Sequence, residues 1–313
     1  MSAELFLGVA GGGTHSTGVL ADASLTVLAR GESGPMNVHT VGSQAAGGAA
    51  MVLLADLLTQ AGAARSAIAA SAFCLAGVRS EADQEVWQRI VATLGLGGVV
   101  VVTHDGAVGI AAGSPSHSGI LVTCGTGSLV YGRRADGAER FAIGRGLVLG
   151  DEGSGFDIGQ RGLRAVVRAA DGRGAPTLLE QLVRERLGIA SIGDLVTWVT
   201  PFDKKRIATV APLVFEAAAA GDPVAEAIVS NALAELALGV KAVAEALWPG
   251  AEKPDHVLLT GGVVCHQPAF REGLAAAIHE FLPGVPCGEP EAEGALGAAR
   301  VAHLAWAESQ GAR

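Results

Sequence analysis

Apolar positions along this chain come in short blocks that switch between two periods. Leu5 to Val9 is continuous, meets Gly11-Gly12-Gly13, and is answered by a second run from Thr17 to Leu20. That pattern predicts a strand, a tight turn and a returning strand. Leu25–Arg30 predicts a third strand, with a loop over 31–37. The Ala- and Leu-rich segment from Val41 to Ala61 predicts a helix ended by Gly62. Ala69–Leu75 predicts a strand running into Ala76-Gly77. Ala82–Leu94 shows helical spacing at Val86, Trp87, Ile90, Val91 and Leu94. Val99–Thr103 is a continuous apolar run of the kind buried in a parallel sheet, and Ala107–Ala112 a small-residue helix. Strands alternating with helices in this way predict an α/β lobe.

The second half starts again in the same manner. Gly119–Thr123 predicts a strand that enters Cys124-Gly125-Thr126-Gly127-Ser128 and returns over Leu129–Tyr131, and a turn at Ala135-Asp136-Gly137 closes the meander. An amphipathic helix follows Gly155 and runs through Arg168. From Thr177 to Leu247 the pattern is helical, interrupted at Gly188, Pro201-Phe202-Asp203 and Gly221-Asp222-Pro223, and reads as scaffold without chemistry. Asp255–Thr260 predicts a strand entering Gly261-Gly262, with a helix from Pro268. Gly294–Trp306 predicts a small-residue helix packing back on the first lobe.

Composition narrows the function classes. The 313 residues leave room for two lobes or one large domain, and the net charge of −9 with 4% aromatics argues against a binder held by nucleic-acid phosphates. The apolar residues are dispersed, so no uncharged run of about 18 residues predicts a membrane span, and no signal peptide is read at the N-terminus. The four cysteines (Cys74, Cys124, Cys265, Cys287) form no CxxC and read as free thiols in a reducing cytoplasm. The histidines show no ligand spacing.

The candidate chemistry lies at the glycine turns. Consecutive glycines cost backbone entropy, but they let amide groups converge on an anion with no Cβ in the way. Gly11-Gly12-Gly13 with Thr14 is therefore a candidate phosphate loop, against an ordinary hairpin turn. Gly125-Thr126-Gly127-Ser128 repeats the feature. Asp105 follows a predicted strand directly, where open α/β sheets bind ligands, or it caps the next helix. Asp151 and Glu152, set between glycines ahead of a helix, either cap that helix or contact a polar ligand.

Taken in order, Gly8–Thr14, Asn37, His104-Asp105, Gly125–Ser128, Gly150-Asp151-Glu152-Gly153-Ser154 and Thr260-Gly261-Gly262-Val263 resemble the BadF/BadG/BcrA/BcrD-type ATPase and N-acetylglucosamine kinase family of the actin-like sugar-kinase superfamily. The resemblance covers nearly the whole chain. It implies two ribonuclease-H-like α/β lobes with a ligand cleft between them: residues 1–115 with 290–313 on the sugar and phosphate side, and 116–289 on the nucleotide side, with a helical insert over 176–248. It further implies ATP-dependent phosphorylation of an amino sugar, N-acetylglucosamine or glucosamine, with Mg²⁺. Asp105 would be the general base, while Asn37, Gly127 and Asp151 would bind the sugar. Gly11, Gly12, Gly13, Thr14 and Thr126 would grip phosphate, and Gly261 and Gly262 would face the nucleoside. A small-molecule sugar and ATP are the expected partners of a cytoplasmic homodimer, with no nucleic acid, no membrane and no metal-ligating side chain assigned.

The chain departs from the family pattern at Ala10, where a carboxylate normally helps to place hydrated Mg²⁺. It also departs at Arg145, often tryptophan, and at Leu129, asparagine in some members. The first departure raises an alternative, a catalytically weakened sugar or nucleotide sensor. A third reading, the ATPase activator of a radical dehydratase, needs cysteines arranged for an iron–sulfur cluster, which these spacings do not offer. No Walker loop, dinucleotide fingerprint or G-x-S-x-G elbow occurs.

Overall fold

The computed structural model describes residues 4–114, 116–290 and 292–311. The chain divides into two compact units, Met1–Ser118 with Pro290–Arg313, and Gly119–Glu289.

The first unit opens with an antiparallel meander, β1 (Leu5–Gly11), β2 (Ser16–Ala21) and β3 (Val27–Ser33), then α1 (Val38–Ala61), β4 (Ile68–Leu75), α2 (Glu81–Thr93), β5 (Val99–His104) and α3 (Asp105–Gly113). The strands form one sheet in the order β3-β2-β1-β4-β5, with β4 and β5 parallel to β1. β1 and β4 are central and almost wholly buried, which their unbroken apolar sequences require. β5 is different. Its four valines had suggested a strand buried inside the sheet, yet it is the edge strand, paired on one side only, and Val100 is exposed. An apolar run records which residues can be covered, not how many neighbours the strand has.

α1 starts earlier than its apolar pattern indicates, because Asn37 caps it through Oδ1, and its backbone breaks at Gly42 (φ +79°). From there Ala46, Ala50, Leu53, Leu54 and Leu57 form the buried stripe. Each buried leucine contributes about 1.5–3 kcal/mol of apolar burial.

The second unit repeats the plan: β6 (Gly119–Cys124), β7 (Ser128–Arg133) and β8 (Glu139–Ala142) form the meander, and α4 (Gly155–Ala170) follows. Next come α5 (Leu179–Leu187), α6 (Ile192–Trp198), α7 (Lys204–Ala208), α8 (Ala211–Ala219) and α9 (Pro223–Leu247). β9 (Val257–Thr260), α10 (Gly262–His266), α11 (Pro268–His279) and the short β10 (Cys287–Gly288) complete it. The sheet order is β10-β9-β6-β7-β8, the same order as in the first unit. Both sheets thus have the ribonuclease-H-like arrangement. The helical scaffold is tied together by Asp222. One carboxylate oxygen accepts the N–H groups of Val224 and Ala225 at the start of α9, and the other accepts the Thr177 hydroxyl and the Leu178 N–H.

The last helix, α12 (Gly294–Gly311), belongs to the first unit. It lies directly on β1: a Cβ on Gly8 would fall 2.2 Å from Ala299 N and 2.3 Å from Ala295 O. Arg300 on the same helix donates to the carbonyls of Ala111 (3.0 Å) and Ala112 (2.9 Å), which lack partners within α3 because they lie in its last turn. α1 and α9 are long and apolar enough to cross a membrane by length and composition alone. Each nevertheless lays its apolar stripe on strands of its own unit, α1 on β2 and β3, α9 on β7 and β8.

Candidate active site

The β1–β2 turn is built by its glycines in three different ways. A Cβ on Gly11 would meet Leu75 Cδ2 at 2.3 Å and Met36 Cβ at 3.0 Å, so this glycine allows packing. A Cβ on Gly12 would stand 2.5 Å from His15 O, the carbonyl that accepts the Gly12 N–H to close the turn. Gly13 has open space around it. Among the described residues, the N–H groups of Gly13 and Thr14 donate to no other group. Two consecutive amides with no partner, beside the exposed Thr14 hydroxyl, are what an anion-binding nest requires.

Asp105 reaches the same place through the sheet. β1, β4 and β5 are parallel, and their registers pair Gly11 with Leu75 and Leu75 with His104. The β1 turn and Asp105 therefore leave the sheet at one edge, the carboxyl end where such folds bind ligands. Ala10, Gly11, Gly12, Thr14, Cys74 and Asp105 are among the residues lining a single cavity of about 240 Å³. Asp105 does not cap α3. His104 holds the N-cap position and Asp105 is the first helical residue, exposed, without a side-chain hydrogen bond or ion pair among the described residues. Its charge is favourable at a helix N-terminus. The Cys74 thiol in the cavity wall is pushed well above its ordinary range, by burial first and by the Asp105 charge second, so it is no nucleophile.

Ala10 lines this cavity too, paired across the sheet with Cys74 and Thr17, which leaves Asp105 as its one carboxylate among the described residues. No group of three potential metal-ligating side chains occurs among the described residues. Such a lining fits Mg²⁺ carried in by a nucleotide and its waters, and does not form a protein cage for it. Asn37 lies apart from the cavity lining. Its Oδ1 accepts the His39 N–H at 3.0 Å, and its side chain packs on Gly77, in the segment leaving β4.

In the second unit the β6–β7 turn is pinned to the start of α4. Gly125 N–H donates to Gly127 O (2.9 Å), while Gly125 O accepts Gly155 N–H (2.8 Å) and Thr126 O accepts Phe156 N–H (3.3 Å). The backbone N–H groups of Thr126 and Gly127 donate to no group among the described residues, as in the first turn. The Gly150–Ser154 string wraps this hairpin: Ser128 Oγ donates to Glu152 O and Cys124 Sγ to Gly153 O. The cap of α4 is Ser154, which accepts Asp157 N–H, and Asp157 in turn accepts Gly153 N–H. Asp151 is thus not the cap. It is buried, with Oδ2 2.5 Å from Lys204 Nζ and Oδ1 3.4 Å from Ser128 N. The place a Gly127 Cβ would occupy is 3.1 Å from both Asp151 Oδ1 and Lys204 Nζ.

Lys204 is the residue that sequence reasoning missed, because it lies in the segment read as scaffold. It is the first residue of α7, far from Asp151 along the chain. The available signal was physical: a carboxylate buried beside a glycine turn needs a counter-charge.

Thr260 pairs with Thr123 in register, and their hydroxyls are 3.1 Å apart. The segments leaving the two strands consequently run side by side, and a Cβ on Gly125 would be 3.7 Å from Gly262 N. Gly261 has a packing reason to be glycine: its φ is +97° and a Cβ would lie 2.5 Å from Cys124 O. Gly262 is open.

A model of the BadF/BadG/BcrA/BcrD ATPase family matches residues 7–302. An N-acetylmuramic acid/N-acetylglucosamine kinase of Clostridium acetobutylicum is 33% identical over 264 residues, 82% of this chain and 85% of that protein. An N-acetyl-D-glucosamine kinase of Dictyostelium discoideum is 29% identical over 317 residues, 96% of this chain and 98% of that one. Among solved structures, a candidate N-acetylglucosamine kinase from Chromobacterium violaceum has a TM-score of 0.74 at 27% identity, covering 98% of this chain and 100% of its own. With its two like-ordered sheets and its paired glycine turns, the chain belongs to the BadF/BadG/BcrA/BcrD ATPase family.

Proposed function

We propose that this protein transfers the γ-phosphoryl group of ATP to a hydroxyl of an amino sugar, N-acetylglucosamine or a close relative. The observation that carries the reading is the exposed Asp105 carboxylate, without a side-chain partner among the described residues, in the cavity that the Gly11–Thr14 turn lines. Phosphoryl transfer asks little covalent chemistry of a protein: it needs positioned phosphates, a positioned hydroxyl and a base to take its proton. In the first unit the N–H groups of Gly13 and Thr14 and the Thr14 hydroxyl would hold phosphate oxygens. Asp105 would orient the attacking hydroxyl and accept its proton as the new P–O bond forms. In the second unit Thr126 would hold phosphate, Gly261 and Gly262 would lie against the nucleoside, and Gly127 and Asp151 would hydrogen-bond the sugar. Asn37 would add a sugar contact through the Nδ2 donors that its capping role leaves over. Mg²⁺ bound with the nucleotide would neutralise charge on the phosphates, and Asp105 would face its hydrated shell.

The test is ADP release from ATP against a panel of hexosamines and hexoses. Turnover stimulated by N-acetylglucosamine is the expected result, and sugar binding without turnover would instead favour the sensor that Ala10 suggests. The enzyme would act in the cytoplasm, where ATP is abundant, on a small molecule and without membrane or nucleic acid. A homodimer is the proposed assembly, checked by light scattering.

A further inference from the structure

We propose that Lys204 is a specificity-determining residue of the second unit: its ammonium neutralises Asp151 and makes the site select acylated, uncharged amino sugars over those bearing a free ammonium. The proposal rests on the reading above in one respect, that Gly127 and Asp151 face the sugar. Asp151 is 8% exposed, and a carboxylate so placed would by itself draw a cation. For a sugar with a free amine, that cation would be the substrate's own.

Lys204 takes the place of that cation. Its Nζ is 2.5 Å from Asp151 Oδ2, and its side chain is 28% exposed, so the ammonium is reachable without being fully hydrated. Phe156 lies under it, with the ring centroid 5.8 Å from Nζ. Both Lys204 Nζ and Asp151 Oδ1 are 3.1 Å from the place a Gly127 side chain would fill, so both abut one face of the glycine turn. An ammonium has three donors, and Asp151 takes one. No other hydrogen-bond acceptor for Nζ occurs among the described residues, which leaves donors for an acyl carbonyl or a sugar hydroxyl. A substrate ammonium at the same face would meet a carboxylate already paired and a like charge beside it, so it would be desolvated without gaining a free counter-charge, which opposes its binding. The residue lies outside the glycine motifs, on the insert helix α7, so the selection is set by the insert.

The experiment compares the full-length protein with Lys204→Met and Lys204→Arg by calorimetry, using N-acetylglucosamine and glucosamine at pH 6.5, where a free sugar amine is protonated. ADP release is followed in parallel, and thermal melts check folding. The expected wild-type preference for the acetylated sugar, as a ratio of Kd values, is at least about tenfold. Lys204→Met should lower that ratio at least about tenfold, chiefly by tightening glucosamine, and Lys204→Arg should retain it. A folded Lys204→Met protein with the wild-type ratio overturns the proposal. If Lys204→Met does not fold, Lys204→Gln, which can still donate to Asp151 but is uncharged, is held to the same criterion. Sugar binding without ADP release overturns the kinase reading alone, and wild-type protein that binds neither sugar overturns both.

Discussion

Gly127, in the β6–β7 turn, and Gly261, directly after β9, lie at the same end of the second unit's sheet, yet replacing each by alanine should have opposite consequences. Gly127 has no left-handed backbone requirement, and a new methyl would stand 3.1 Å from Asp151 Oδ1 and from Lys204 Nζ, the far ends of side chains that can yield by a few tenths of an ångström. Folding should tolerate it: the stability change is expected within about 1 kcal/mol, with the lower entropy of the unfolded chain partly offsetting the crowding. On the proposed function, however, the methyl would occupy the surface from which the sugar is to meet Asp151. Losing one hydrogen bond to a charged group costs about 1.5–3 kcal/mol, so kcat/KM for the sugar should fall about ten- to a hundredfold, mostly through KM. Gly261 is the contrast. Its φ of +97° and ψ of 153° are closed to alanine, and the Cβ would overlap backbone atoms, Cys124 O at 2.5 Å and Cys124 C at 2.6 Å. Backbone strain of about 1–3 kcal/mol and overpacking of a similar size should together remove about 3–5 kcal/mol. Denaturant melts followed by far-ultraviolet circular dichroism, with ADP-release kinetics on the same samples, separate the two effects. A Gly127→Ala protein with unchanged kcat/KM would refute the placement of sugar at Asp151. A Gly261→Ala protein of wild-type stability would refute the packing reasoning.

Other outcomes follow from the same structure. Asp105→Asn should lower kcat by about 10²–10⁴ while leaving nucleotide affinity within a few-fold, because the amide cannot accept the proton. Ala10→Asp adds a second carboxylate to the cavity lined by Asp105, so kcat should rise and its Mg²⁺ dependence shift to lower concentration; a kcat that does not rise with an unshifted Mg²⁺ dependence would refute a metal role for that position. Asp222→Asn should destabilise the protein by about 2 kcal/mol near pH 7. Burial alone would raise the Asp222 carboxyl, but the N–H groups of Ala225 and Leu178, the Thr177 hydroxyl and the Val224 N–H outweigh it and hold it below the usual range. A carboxyl depressed in the folded state stabilises above its unfolded value and loses that contribution as pH falls through the folded one. The stability gap between the wild type and Asp222→Asn should therefore be full at neutral pH and close progressively below about pH 4, measured by denaturant unfolding across that range.

Much of the protein was legible in its sequence because the relevant physics is local. Apolar period and glycine turns act within a few residues, so the meander, the alternation of strands and helices, and the two glycine hairpins could be read directly; the cap that Asn37 places on α1 was not, and the helix starts earlier than its apolar pattern. Asp105 was legible as a group following a strand, since the end of a parallel strand is a defined place in an α/β sheet. Relations between distant segments were not legible. The valines of β5 look alike in a central and an edge strand, and only the strand order makes it an edge. Asp151 and Glu152 fit a helix cap or a ligand contact equally well in the sequence, and the structure removes the first by giving the cap to Ser154. Gly11, Gly12 and Gly13 at the end of β1 look equivalent in the chain, but packing gives Gly11 and Gly12 structural duties and leaves Gly13 open. Lys204 meets Asp151 only because the insert folds α7 against α4, and an ion pair between residues so far apart carries no sequence period. Short-range conformational preference is written in the chain; which charge neutralises which is decided by packing.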